Sequence, residues 1–255
     1  MAGILPQHWP EDTDWPGKEG PGMTEIATQE FASPDELAGR LFESLVAGVE
    51  LLSVYLGEKL GFYQALAQGG PQRPSELAAV TATHPRYAME WLEQQATALL
   101  IAVDNPAAPP DERRYALPPG YEAVLVDELS PAFVAPAGRF IKVMGHAAEP
   151  LLDAYRTGGG LGWEQLGADA REAQAAFNRP FYATGLADLI SHAPDIHYLL
   201  SADGASFAEL GCGGGHALIA LAAAYPGLRA EGFDLDAATV AMARAHVEEA
   251  GLAER

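Results

Sequence analysis

Residues 207–216 read FAELGCGGGH: an apolar run, an acid, then four glycines in five positions around the only cysteine of the chain. Glycine has no Cβ, so such a loop can adopt positive φ and can lie very close to another group. Its flanks say which. SFAEL (206–210) predicts a short strand, and HALIALAAAY (216–225) a helix closed by Pro226-Gly227. LRAEGFD (228–234) predicts a second strand, and AATVAMARAHVEEAG (237–251) a second helix with Asp236 in the cap position. Strand, helix, strand, helix is the opening of a parallel, helix-covered sheet. Glycines directly after the first strand of such a unit aim backbone N–H groups and a helix N-terminus at a ligand.

Spacing discriminates among ligands. A dinucleotide loop needs Gly-x-Gly-x-x-Gly or Ala. Counting from Gly211 puts His216 at the third small position, and counting from Gly213 puts Leu218 there. Either side chain blocks the close helix–strand packing that the third glycine permits. A phosphate loop ends Gly-Lys-Ser/Thr, and the chain's lysines are Lys18, Lys59 and Lys142 only. The pattern that fits is acid-x-Gly-x-Gly-x-Gly: Glu209, Gly211, Gly213, Gly215. It resembles motif I of the class I S-adenosylmethionine-dependent methyltransferases. Gly232-Phe233-Asp234-Leu235-Asp236 then places an acid at the end of the second strand, 25 residues after Glu209.

The resemblance implies that Glu209, Gly211, Gly213, Gly215 and Asp234 bind S-adenosyl-L-methionine. That cofactor carries no phosphate and needs no lysine. Its ammonium suits an acid at the first strand end, and its ribose hydroxyls suit a carboxylate at the second. By the same resemblance Asp234 takes the ribose and Asp236 caps the following helix.

The upstream sequence extends the likeness. Residues 1–32 read as a disordered tail, in which Met23 is an alternative start. Ser33-Pro34-Asp35-Glu36 carries a capping box. Leu37, Leu41, Leu45, Val49, Leu52 and Leu56 follow at three- and four-residue spacing, an apolar stripe that needs a partner. Further helices and a ribbon pairing IAVDN with RRYALP complete a winged-helix arrangement over 33–130. Residues 131–200 are a helical connector with expected interruptions at Pro136 and Pro150 and a kink near Pro180. Two readings stand for the loop GGGLGWEQLG (158–167): a lid with Trp163 shielding the methyl donor, or an interhelical loop with Trp163 in the core. Residues 201–255 form the Rossmann-like part. The expected class is therefore α/β, a mainly helical winged-helix domain followed by the first βαβα portion of a methyltransferase sheet, in the layout of bacterial small-molecule O-methyltransferases.

Composition narrows the partners. Fifteen Lys plus Arg stand against 35 Asp plus Glu, a formal charge of −20, which repels nucleic acid and anionic membranes. Between Gly70 and Val103, Arg73 and Arg86 face Glu76, Glu90 and Glu93, so the winged helix lacks a cationic recognition face. No long apolar run or export signal is present, and one cysteine makes no internal disulfide, which fits a cytoplasmic protein. The spacing of His192 and His197 matches no metal pattern, and Cys212 reads as a small buried spacer.

The expected function is methyl transfer from S-adenosylmethionine to a small-molecule acceptor, with a homodimer through the N-terminal helical domain. The alternatives are a non-catalytic winged-helix regulator or dimerisation module and, less well matched, an NAD-dependent oxidoreductase. No catalytic base is assignable: His146 and His216 are pocket candidates, with surface placement as the alternative, and Phe177, Phe181 and Tyr182 are candidates for pocket lining or core. A complete domain of this kind needs about 150 residues, and only 44 follow Gly211. The chain is thus expected to be the N-terminal part of an enzyme, binding cofactor weakly or not at all by itself.

Overall fold

The computed structural model describes residues 31–255, so Met23 and nearly all of the expected tail lie outside the described residues. The described residues divide into two units, one ending at Leu45 and the other running from Val46 to Arg255. The first long helix, α1, is Pro34–Lys59. Its start is held as the capping box predicts: the Glu36 N–H donates to Ser33 Oγ at 3.3 Å, and the Ser33 N–H donates to Glu36 Oε2 at 2.8 Å. Within the first unit Leu37, Leu41 and Leu45 are exposed.

Within the second unit the α1 stripe continues through Val49, Leu52 and Leu56, also exposed, while Val54 turns inward. Then follow α2 (Phe62–Gly69), α3 (Pro74–Val80) and α4 (Pro85–Thr97). Strands β1 (Ala102–Val103) and β2 (Tyr115–Ala116) pair antiparallel, Ala102 with Ala116 and Val103 with Tyr115, as the expected ribbon requires. Phe62, Tyr63, Leu66, Leu77, Trp91 and Leu92 fill the core between these elements. The polar atoms they carry inward are partnered: Trp91 Nε1 donates to the Ser53 carbonyl at 2.9 Å, and the Tyr63 hydroxyl donates to Gln95 Oε1.

A short α5 (Glu122–Leu125) leads to α6 (Ala137–Thr157). Of the two expected proline interruptions, the one at Pro136 bounds the helix and the one at Pro150 is corrected. Pro136 occupies the cap position, where no N–H is needed, and the helix runs straight through Pro150. The carbonyl that Pro150 leaves without a donor belongs to His146, an exposed residue, so solvent can satisfy it. The glycine-rich loop is also shorter than expected. Gly158 ends α6 in the left-handed conformation, and α7 (Trp163–Phe181) already begins at Trp163, with one kink at Gly167 (φ 81°). A π-turn over Tyr182–Leu186 follows Pro180, the expected irregularity.

Ion pairs fasten this hairpin to the end of α1. Arg139 Nε donates to both Glu58 carboxylate oxygens at 3.0 and 3.1 Å, with the Glu58 side chain only 7% exposed, and Lys59 reaches Glu172 at 3.1 Å. Gly138 lets the helices touch: a Cβ there would stand 2.7 Å from both the Leu51 carbonyl oxygen and the Tyr55 nitrogen.

After α8 (Ala187–Ser191) and α9 (Pro194–Ser201) comes the βαβα segment: β3 (Ser206–Leu210), α10 (His216–Ala224), β4 (Arg229–Phe233) and α11 (Ala237–Glu249). β3 and β4 pair in parallel, with Glu209 opposite Gly232 and Leu210 opposite Phe233. Leu200, Leu221, Tyr225 and Leu228 form a second core cluster, against which Phe207 packs. No described helix is long and apolar enough to cross a membrane.

Candidate functional site

The loop between β3 and α10 is built from four glycines with two different reasons to be glycine. Gly211, Gly213 and Gly215 have φ of 75°, 53° and 74°, a region that L side chains reach only with strain. Gly214 instead meets α7, where an added Cβ would stand 2.9 Å from Ala175 Cβ. The N–H groups of Gly211 and Cys212 both donate to the Phe233 carbonyl, at 2.7 and 3.0 Å, tying the loop to the end of β4.

Asp234 completes the tie. Its Oδ2 accepts from the Gly213 N–H at 3.1 Å and its Oδ1 from the Asp236 N–H at 3.0 Å. Asp236 caps α11 as expected, accepting from the Thr239 N–H at 3.0 Å and the Thr239 hydroxyl at 2.7 Å. Arg171 of α7 stands 3.3 Å from Asp236 Oδ2 and donates to the Trp163 carbonyl at 3.2 Å.

These elements enclose a cavity of about 940 Å³, within the range of small-molecule sites. Gly211, Gly213 and Asp234 line it, as do Trp163, Tyr182 and His216. Two expected site residues stand outside the lining. Gly215 faces α11, where an added Cβ would lie 3.3 Å from Ala243 Cβ, so its part is packing. Glu209 is half-buried, with Oε2 shielded from solvent and without a hydrogen-bond partner among the described residues.

The remaining candidates separate cleanly. Trp163 is in the cavity wall and 44% exposed, not in the core. Phe177 and Phe181 are exposed and outside the lining, Phe177 meeting Phe140 edge-on at 6.0 Å. His146 is exposed on α6. Cys212 is buried in the cavity wall, and burial pushes its thiol pKa up, which opposes thiolate chemistry. His216 is pushed down to about 4, first by burial, then by His246 and Arg179 nearby, and is neutral at physiological pH.

Sequence reasoning missed one wall entirely. Arg171, Gln174 and Asn178 line the cavity from α7. Their three- and four-residue spacing within an alanine-rich helix was the available signal. The site as a whole offers one braced carboxylate, loop amides, neutral polar groups and a guanidinium, Arg171, whose charge is paired with Asp236, and no lysine in its lining. Such a lining suits hydroxyls and a cationic centre better than a phosphate.

Burial pushes the Glu209 carboxyl pKa up. The folded chain therefore holds that proton more tightly than the unfolded chain, and stability is lost as pH rises from the ordinary carboxylate range through the raised pKa. Glu209→Gln is expected to stabilise the ligand-free protein at pH 7 by about 1 kcal/mol, a rise in melting midpoint of about 2–4 °C. The difference should vanish well below pH 4, where the carboxyl is protonated in both folded and unfolded chains. Thermal melts of the two proteins across pH read this directly.

No protein-family model matches the sequence, and no curated protein matches it. Solved structures match its fold. The mitomycin 7-O-methyltransferase MmcR is 22% identical, with a TM-score of 0.53 over 87% of this chain and 65% of that one. PigF with SAH is 18% identical, with a TM-score of 0.56 over 88% and 65%. An O-methyltransferase family protein from Burkholderia thailandensis is 18% identical, with a TM-score of 0.56 over 89% and 63%. The chain thus shares the fold of these proteins, two of them described as O-methyltransferases, and spans 63–65% of their length.

Proposed function

We propose that the cavity binds S-adenosylmethionine and that the chain is the cofactor-holding part of a methyltransferase for a small-molecule acceptor. The observation that carries this reading is Asp234. It is a carboxylate at the end of β4, braced on the Gly213 N–H of the glycine loop and facing a cavity lined without lysine. The fold shared with PigF, solved with SAH, supports the same ligand.

The residues fit that group. Asp234 is placed for ribose hydroxyls, and the positive-φ glycines let backbone lie against the ligand. The Glu209 oxygen outside the lining lacks a donor among the described residues, and the ligand's ammonium would reach it through water. When bound, S-adenosylmethionine supplies a methyl group already activated on a sulfonium. The protein's share of the chemistry is to hold the ends of the ligand, to exclude water with Trp163 in the cavity wall, and to keep the one lining guanidinium, Arg171, paired with Asp236. SAH at about 50-fold above its Kd should stabilise the chain by about 2 kcal/mol, raising the midpoint by about 4–8 °C. NAD should not. Equal shifts with both ligands would refute the reading.

The helices of 33–130 with the β1–β2 ribbon support a winged-helix domain in which the exposed α1 stripe meets a second copy of the chain. The chain's strong negative charge argues against a nucleic-acid partner and agrees with a cytoplasmic enzyme. A dimer in sedimentation velocity that Val49→Glu with Leu52→Glu dissociates would bear the pairing out. A monomeric wild-type protein at about 100 μM, far above the Kd of a stable homodimer, would exclude it.

A further inference from the structure

The geometry points to His216 as a cofactor-contacting residue and to His246 as the positioning residue that holds it, an inference that rests on the cofactor reading above. His216 is the first residue of α10 and lines the cavity. Its ring lies over Gly214, so that a Cβ at that glycine would stand 3.3 Å from His216 Nε2. The His246 ring, from α11, stacks on it with centroids 4.8 Å apart and planes 17° from parallel. His246 Nδ1 lies 2.8 Å from the Gly214 carbonyl oxygen. A carbonyl only accepts, so Nδ1 carries the proton and donates it there.

One side chain therefore fixes two parts of the wall. The N–H of His246 fixes the Gly214 carbonyl, and its ring face fixes the His216 imidazole, while Ala175 of α7 closes on Gly214 from another side. A histidine whose only duty was packing would spend its nitrogens on the protein. Neither His216 nitrogen has a hydrogen-bond partner among the described residues, although the ring is half-buried and turned to the cavity. Being neutral at physiological pH, this ring both donates and accepts. It can meet the amino-acid end of the ligand without opposing its sulfonium.

The test uses the whole chain with SAH as the probe. Affinity is measured for the wild type, His246→Ala and His246→Asn, and histidine-ring NMR signals are followed during titration. His246→Ala should weaken SAH binding about tenfold, the effect of losing one neutral hydrogen bond. His246→Asn, whose amide nitrogen sits where Nδ1 was, should recover most of it. The His216 ring signals should move on SAH addition. Wild-type affinity in His246→Ala, or His216 signals that stay still while SAH binds, would overturn the inference and leave the cofactor reading intact. No response of the wild type to SAH would remove that reading and the inference with it.

Discussion

Asp234→Ala should lower affinity for S-adenosylmethionine and SAH by about 100-fold, the largest binding effect expected of any single substitution here. Two separate losses combine. The carboxylate placed for the ribose disappears, and so does the brace on the Gly213 and Asp236 N–H groups. Hydrogen bonds to a charged acceptor contribute about 1.5–3 kcal/mol each, and about 2.7 kcal/mol corresponds to the hundredfold loss. Asp234→Asn should fall between, since the amide keeps one accepting oxygen and turns the other position into a donor. Calorimetry with SAH on the three proteins checks the order. A wild-type affinity in Asp234→Ala would show that the ligand does not use this carboxylate.

The largest expected stability effect lies far from the cavity. In Gly138→Ala the new methyl stands 2.7 Å from backbone atoms of Leu51 and Tyr55, and neither can rotate away as a side chain would. α6 must lift from α1, straining the Arg139–Glu58 pair beside the contact. The cost is about 3 kcal/mol, a fall in midpoint of about 6–12 °C. Gly145→Ala on the same helix is the control: nothing lies within 4 Å of its added Cβ. Relief of glycine's backbone entropy should stabilise that variant by about 0.5–1 kcal/mol. Opposite signs for one chemical change on one helix isolate the close approach as the cause.

What the sequence made legible was local. Ser206–Leu210 was read as a strand and found at those limits, because a short β-prone run ends at glycines. Asp236 was read as a cap and accepts the Thr239 N–H. The capping box at Ser33 and the β1–β2 ribbon were likewise carried by nearby residues. Features set by packing across distance were not legible. Pro150 stays inside a helix at a point where the carbonyl it orphans belongs to an exposed residue, His146. The cavity wall of Arg171, Gln174 and Asn178 depends on how α7 crosses the glycine loop. Glu209, expected to hold the ligand, lies outside the cavity lining with one carboxylate oxygen unpaired among the described residues. Strand alternation gave a hint, since Glu209 shares its face with Phe207, which packs into the core.

The central claim is that the Gly211–Gly215 loop and Asp234 form an S-adenosylmethionine site. Its most direct test is an NMR titration of glycine-labelled protein, whose 27 glycines report on the loop and on distant controls together, and which detects even weak binding. SAH should shift the amides of Gly211, Gly213, Gly214 and Gly215 while leaving Gly145 and Gly158 in place. Loop glycines that stay still at millimolar SAH, or that respond equally to NAD, would contradict the account.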